Sequence, residues 1–269
     1  MAEFAILFPT AAAEDVSRLF AMLLFQKLQD FRIYLPVSLA DAVQEAEDRL
    51  NVRLYDGDPG VEEPWTLFLG TDLELTPKSL SRMHGCIQDH PDYDVFHWNL
   101  DGEKSFPLKY SVQKLFKDMV QKDLAAPVSS FVLRTSVLKE CQALEPGLEG
   151  LPLVFSCARA RGIRTARWES LVWHRPVPPA DPVLEEKDIR EEIAFLRWTE
   201  RFFGEEYPLG VGDRLSLFAD TLARLYPSYS PEDLKEMMRE FASAGGTVRS
   251  LRASAALKSA IRKRQEALK

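Results

Sequence analysis

Trp65-Thr-Leu-Phe-Leu-Gly-Thr-Asp-Leu-Glu-Leu-Thr-Pro77 carries the reading of the fold. Its first five residues, Trp65 to Leu69, are a continuous apolar run of strand length, as expected for a strand buried on both faces. Thr76 as N-cap and Pro77 at the first helical position predict a helix over Pro77 to Asp89. Between strand and helix lie Asp72 and Glu74. Residues two apart in an extended segment point to the same side. An extended Thr71–Leu75 would therefore aim both carboxylates at one cation; otherwise Glu74 simply precedes or caps the helix.

Working outward, Phe4 to Phe8 reads as a buried strand closed by Pro9-Thr10, followed by a helix over Ala13 to Leu28. Phe31 to Leu35 is a strand stopped by Pro36. A helix is expected over Ala40 to Leu50 and a short strand over Asn51 to Tyr55, and Asp56-Gly-Asp-Pro-Gly60 is a turn signal. Beyond the opening stretch, strands are expected at Asp94–Leu100 and Ser129–Leu133, with one or two more within Ile163–Trp173. Helices are expected at Val112–Lys122, Ser136–Leu144 and Pro152–Arg161, the last stopped by Gly162. This alternation defines an α/β domain with a mainly parallel sheet flanked by helices. Pro176-Val-Pro-Pro-Ala-Asp-Pro182 is a stiff linker. It divides the chain into a domain over 1–176 and, over 177–269, linker plus a small all-helical module with helices at Glu185–Phe203, Val211–Leu225, Pro231–Ser243 and Leu251–Leu268.

Bulk properties narrow the class. The chain has 269 residues, 46% hydrophobic and 28% charged, which suits a globular protein and not a disordered one. Cys86, Cys141 and Cys157 are too few and too scattered for a disulfide framework or a zinc site, and fit a reducing compartment. The apolar run at Phe4–Phe8 is too short for a signal peptide, and no segment reaches the length of a membrane span. A soluble, cytoplasmic protein is expected. Residues 249–269 hold seven basic side chains and one acid, a local +6 that leaves −13 on the rest out of a net −7. An acidic body argues against a nucleic-acid partner. The basic tail reads as a helix that either lies peripherally on the anionic inner face of a membrane or pairs with the acidic body.

Four pieces, in order, resemble the inverting family-2 glycosyltransferases of GT-A fold over roughly residues 4–175. Ala5-Ile-Leu-Phe-Pro-Thr10 looks like the opening strand. Leu23-Leu-Phe-Gln-Lys-Leu-Gln-Asp-Phe-Arg-Ile-Tyr34 is similar to the helix-then-strand signature. The Trp65–Pro77 stretch looks like the strand that delivers the Asp-x-Asp metal motif. Phe131-Val-Leu-Arg-Thr-Ser-Val-Leu138, the helix ending at Gly162, and the strand leading to Val172-Trp-His-Arg175 resemble the acceptor-side half.

The resemblance implies transfer of a sugar from a nucleotide-diphosphate sugar to a surface-glycan or lipid-linked acceptor. It implies Mg²⁺ or Mn²⁺ on hard oxygen ligands, neutralising the leaving diphosphate, and a carboxylate base. Carried onto this chain, it gives Asp72, Glu74 and His174 as metal contacts, Thr10, Asp56, Asp58 and Thr71 as donor contacts, and Glu149 as the base. The chain also departs from the pattern. Gly70 stands where the first Asp of the metal motif is expected. Pro36-Val37-Ser38 follows the second strand with no acid, and the path from Asp58 to Trp65 is unusually short. Gly150-Leu151 stands where the base is expected, with Glu145 and Glu149 nearby. Asp56 and Asp58 suit a ribose or cation, and equally a turn. His174 and His97 suit ligation, and equally packing; Glu149 suits a base or a solvated loop. The alternative function is therefore a catalytically inactive glycosyltransferase fold acting as a binding or scaffold partner.

Overall fold

The first strand, β1 (Phe4–Leu7), is buried along its whole length, so both of its faces must be covered. The computed structural model describes residues 2–8, 13–42, 49–101, 107–114, 126–144, 150–174, 219, 222–223, 229–244 and 250–267. The chain divides into two compact units, Met1–Leu115 with Ala125–Val177, and Phe116–Leu124 with Pro178–Lys269. The expected linker, the helix at 185–203 and most of that at 211–225 lie outside the described residues.

In the first unit, β1 is followed by α1 (Ala13–Leu24), β2 (Phe31–Pro36), a 3-10 turn (Val37–Ala42), β3 (Val52–Tyr55), β4 (Trp65–Phe68) and β5 (Leu73–Glu74). Then come α2 (Ser79–Asp89), β6 (Val95–Leu100), β7 (Lys109–Tyr110), a 3-10 turn (Val128–Ser130), β8 (Phe131–Arg134), α3 (Thr135–Leu144), α4 (Gly150–Ala158) and β9 (Ile163–Trp173). The strands form one sheet in the order β3-β2-β1-β4-β8-β6-β9-β5, with β7 also on β9. β1 pairs in parallel with β2 and β4, β2 with β3, and β6 with β9. β8 runs antiparallel to both β4 and β6, so it enters the sheet from the edge at which those strands end. Between Trp98 and Asn99 the pairing of β6 with β9 jumps from Ala166 to Ser170.

Period-2 alternation sends Phe4 and Ile6 to one face of β1 and Ala5 and Leu7 to the other. Phe4 meets His84 of α2 edge-on, and Phe8 packs on Phe20 of α1. Val16, Leu19, Phe20 and Leu23 give α1 its buried stripe at helical spacing. On the other face, Ala5, Leu7 and Tyr34 pack with Val61, which belongs to the connector 56–64. This segment joins two strands of the same direction in nine residues and without a helix, shorter than the usual parallel crossover. Glu63 is 1% exposed and accepts from the Tyr34 hydroxyl at 2.7 Å and the Arg32 guanidinium at 2.9 Å. From outside, Lys139 donates to the Val61 carbonyl, and the Thr135 amide donates to Pro64 at 2.9 Å.

At the edge where β4 and β6 begin, Asp94 accepts from Arg134 Nε at 2.6 Å and Arg161 Nη1 at 3.2 Å. The Arg134 guanidinium also lies 4.4 Å from the centroid of Trp65. This brace holds the reversed β8 in register with both neighbours. Gly162 follows α4 with φ 77°. A Cβ there would stand 2.4 Å from the Tyr110 carbonyl oxygen, so the position demands glycine twice over. Cys86, Cys141 and Cys157 are free and buried.

Three local expectations are corrected. α2 begins at Ser79, capped by Lys78 without a side-chain bond, and not at Thr76-Pro77. Thr76 instead donates its amide to the Ser79 hydroxyl at 2.8 Å, in a turn before the helix. The expected helix from Ala40 is, in its described part, the 3-10 turn Val37–Ala42. Ser129 and Ser130 belong to a 3-10 turn and not to the strand that follows.

In the second unit, α5 (Pro231–Ala244) and α6 (Ser250–Ala267) pack together, with Leu234, Met238, Leu257 and Ala260 buried. Ser230 and Asp233 form a reciprocal cap on α5: the Asp233 amide donates to the Ser230 hydroxyl at 3.2 Å, and the Ser230 amide donates back at 3.2 Å.

Removing the buried carboxylate of Glu63 strands Arg32 and the Tyr34 hydroxyl beneath the connector. Glu63→Ala is expected to lower unfolding free energy by about 3 kcal/mol, and Glu62→Ala, at the exposed neighbouring position, by less than about 0.5 kcal/mol. Urea unfolding followed by tryptophan fluorescence checks the contrast.

Candidate functional site

β4 is flanked by β1 on one side and the reversed β8 on the other. The Leu69 amide donates to the Leu7 carbonyl at 2.8 Å, which extends the β1–β4 ladder one step past β4. The chain then reverses through Gly70, Thr71 and Asp72. It returns as β5, antiparallel to the end of β9, with Leu73 opposite Trp173 and Glu74 opposite Val172. The His174 amide donates to the Asp72 carbonyl at 2.8 Å. Asp72 thus stands at the carboxyl edge of the parallel strands, where open α/β sheets bind ligands.

The Asp72 carboxylate is half-buried and accepts from one hydroxyl. Ser129 Oγ lies 3.0 Å from Oδ1 and 3.1 Å from Oδ2. Ser129 is buried in the 3-10 turn that leads into β8. Asp72 folds back over Gly70, whose Cβ, if present, would lie 2.7 Å from Oδ1. Glycine at position 70 leaves the space in which the Asp72 carboxylate sits.

Glu74 turns elsewhere. Its Oε1 accepts from His174 Nε2 at 2.7 Å and Arg18 Nη2 at 3.0 Å. The hydrogen bond from His174, with the positive charges of His174 and Arg18, holds the Glu74 carboxyl below its usual 4.5 against a smaller effect of burial. Beside it, Arg18, Leu19, Met22, Thr71, Leu73, Glu74 and Leu75 line a cleft of about 170 Å³. Gln26, from the helix-then-strand signature, braces this segment: its side-chain amide donates to the Thr76 carbonyl at 2.8 Å and accepts from the Leu80 amide at 3.2 Å. Gln26 is 4% exposed, a burial that no local sequence pattern announces.

Of the expected site residues, Thr71, Asp72, Glu74 and His174 come together at this edge. Asp72 and Glu74 do not share one target, because Thr71-Asp72 is a turn and only Leu73–Glu74 is extended. Asp56 and Asp58 follow β3, the outermost strand, separated from β4 by β2 and β1. Asp58 Oδ1 accepts from the Gly60 amide at 2.9 Å, as in a turn. Thr10, Glu145 and Glu149 lie outside the described residues. His97 is fully buried against the Phe131 ring, 4.7 Å between centroids, and burial pushes its pKa down to about 3, so it is neutral.

Among the described residues, no group of three His, Cys, Asp or Glu side chains converges to hold a metal. Magnesium-type sites, however, take one or two carboxylates and complete their shell with substrate phosphates and water. Asp72 has donor atoms for that arrangement: one shared hydroxyl proton leaves both oxygens with further lone pairs. Among the described residues, the Asp72 carboxylate has the chemistry to supply one oxygen ligand to a cation that completes its shell elsewhere.

No protein-family model and no curated protein sequence matches the chain. Solved structures do. S. aureus TarS 1-349 superposes with a TM-score of 0.54 at 14% identity, over 100% of this chain and 91% of that one. A longer S. aureus TarS structure gives 0.52 at 14% identity, over 99% of this chain; this chain spans 55% of that length. The mannosyltransferase PcManGT from Pyrobaculum calidifontis, in complex with GDP-Man and Mn²⁺, gives 0.46 at 10% identity over 98% of this chain and 87% of that one. The fold is that of the GT-A glycosyltransferases.

The Glu74 pairing makes a pH prediction. The folded-state pKa is depressed, so the stability the pairing contributes is complete above about 4.5 and fades as pH falls through the lower folded value. His174→Ala is expected to move the Glu74 titration midpoint upward, because the His174 hydrogen bond is the largest cause of its lowering. Carboxyl-carbon NMR reads this shift, and an unmoved midpoint contradicts it.

Proposed function

We propose that the chain is a glycosyltransferase that binds a nucleotide-diphosphate sugar at the carboxyl edge around Asp72 and passes the sugar to a glycan or lipid-linked acceptor. One observation carries this reading: a partly buried carboxylate, held by Ser129, at the ligand-binding edge of a GT-A sheet. Asp72 would hold the Mg²⁺ or Mn²⁺ that accompanies the diphosphate, and that ion would supply charge neutralisation of the leaving group. Thr71 and Arg18 line the adjoining cleft and are the next candidates for donor contact. The helical unit is proposed to be a separate module. Exposed Lys258, Arg262 and Lys263 on α6 support contact with an anionic surface, and no described helix is long and apolar enough to cross a membrane. The three free buried thiols support a reducing, cytoplasmic setting.

A second reading has its own support. The Glu74 carboxylate is occupied by Arg18 and His174, which favours a glycosyltransferase fold kept for binding without transfer.

Thermal unfolding with uridine or guanosine diphosphate, with and without Mn²⁺, tests donor binding. Ligand at a hundred times its Kd adds about 2.7 kcal/mol, a rise of several degrees for a unit of this size. The expected pattern is no shift with Mn²⁺ alone, a rise with nucleotide and Mn²⁺ together, and loss of that rise in Asp72→Ala. No response to any combination would contradict donor binding. A nucleotide response without transfer or donor hydrolysis would favour the second reading.

A further inference from the structure

We propose that Ser129 is the positioning residue of the donor site, a role that rests on the reading of Asp72 as the contact for the diphosphate-bound cation. Asp72 lies on a chain reversal with glycine two residues before it, so local backbone gives its side chain no wall on that side. A carboxylate on such a turn has several rotamers, and freezing them on binding costs affinity. Ser129 removes that freedom beforehand. Its hydroxyl reaches across from the reversed strand's entry turn, 57 residues away in sequence, and spans both carboxylate oxygens at 3.0 and 3.1 Å. Ser129 is itself buried, 5% exposed, so its own rotamer is set by packing.

The single proton matters. One hydroxyl shared between two oxygens fixes the carboxylate plane without consuming its outward lone pairs. A lysine or arginine there would cancel the charge that a cation needs. Glu74 illustrates the difference, since the Arg18 guanidinium and the His174 ring already engage one of its oxygens. Asp72 and Ser129 therefore work as one element: the acid from the carboxyl edge of β4, and the hydroxyl from the strand beside it, whose reversal delivers its N-terminal turn to that same edge.

Two variants perturb this pair by different routes. Ser129→Ala deletes the bond, and Gly70→Ala puts a methyl 2.7 Å from Asp72 Oδ1, too close for the present pose. The experiment titrates Mn²⁺ at fixed uridine diphosphate in the full chain, reading thermal unfolding, and separately measures nucleotide affinity without metal. Ser129→Ala is expected to raise the half-saturating Mn²⁺ about tenfold, the scale of a hydrogen bond to a charged group. Metal-free nucleotide affinity should be unchanged. Gly70→Ala should move the half-saturation in the same direction. A merely structural Ser129 would lower the unfolding temperature of the free protein and leave half-saturation alone. Should Ser129→Ala fail to fold, Ser129→Cys, close in size with a weaker donor, takes its place and is expected to raise the half-saturating Mn²⁺ in the same direction. A wild-type response with half-saturation within twofold in both variants, or shifted in Gly70→Ala alone while Ser129→Ala folds, overturns the role of Ser129 only. A wild type that ignores nucleotide and metal overturns the donor site and this role with it.

Discussion

The register between β1 and β4 is the constraint on which the rest depends. Phe4 lies opposite Trp65 and Leu7 opposite Phe68, in parallel and without an offset. Both strands are largely closed to solvent, and a one-residue slip would exchange the side chains on their two faces. The register therefore decides where β4 runs out, and with it where Gly70, Thr71 and Asp72 reverse the chain. Asp94, Arg134 and Trp65 hold the opposite end of the same strands. The two ends differ: ion pairing and a stacked guanidinium fix the sheet at one edge, and the other carries the chain reversal at Gly70–Asp72.

The antiparallel β8 has a consequence that an all-parallel sheet would lack. A parallel strand in that place would present its own terminus to the cleft. The reversed strand presents instead the turn that precedes it, and Ser129 with it. On the far side, β9 ends beside β5, so His174 reaches Glu74. The two acids of the reversal are thus drawn to different partners, a hydroxyl for Asp72 and Arg18 with His174 for Glu74. The connector from β3 to β4 shows the same economy of parts, covering the sheet face with Val61 and a buried acid in place of a helix.

Much of this was legible in the sequence, because continuous apolar runs and helix-spaced stripes are local signals. Phe4–Leu7, Phe31–Pro36, Trp65–Phe68 and Val95–Leu100 declare themselves this way, as does the stop at Gly162. The run Phe131–Arg134 was readable as a strand but its direction was not, since an apolar segment looks alike pointing either way. Ser129 therefore carried no visible meaning. Glu74 and His174 are a hundred residues apart, and no local pattern announces their contact. No local pattern marks Glu63 as buried; it is the connector that carries it beneath Tyr34 and Arg32. Thr76-Pro77 has the composition of a helix start, yet the Ser79 hydroxyl captures the Thr76 amide and delays the helix by a short turn.

The central claim is that the edge bearing Asp72 receives the nucleotide and its cation. A crystal structure of the protein with uridine or guanosine diphosphate and Mn²⁺, read by anomalous scattering from manganese, addresses it most directly. The account predicts a manganese peak within coordination distance of an Asp72 oxygen, about 2.1 Å for a hard divalent ion on carboxylate, with the diphosphate beside it and Ser129 still bonded to the acid. A manganese–nucleotide complex bound elsewhere, with Asp72 touching neither, would contradict it.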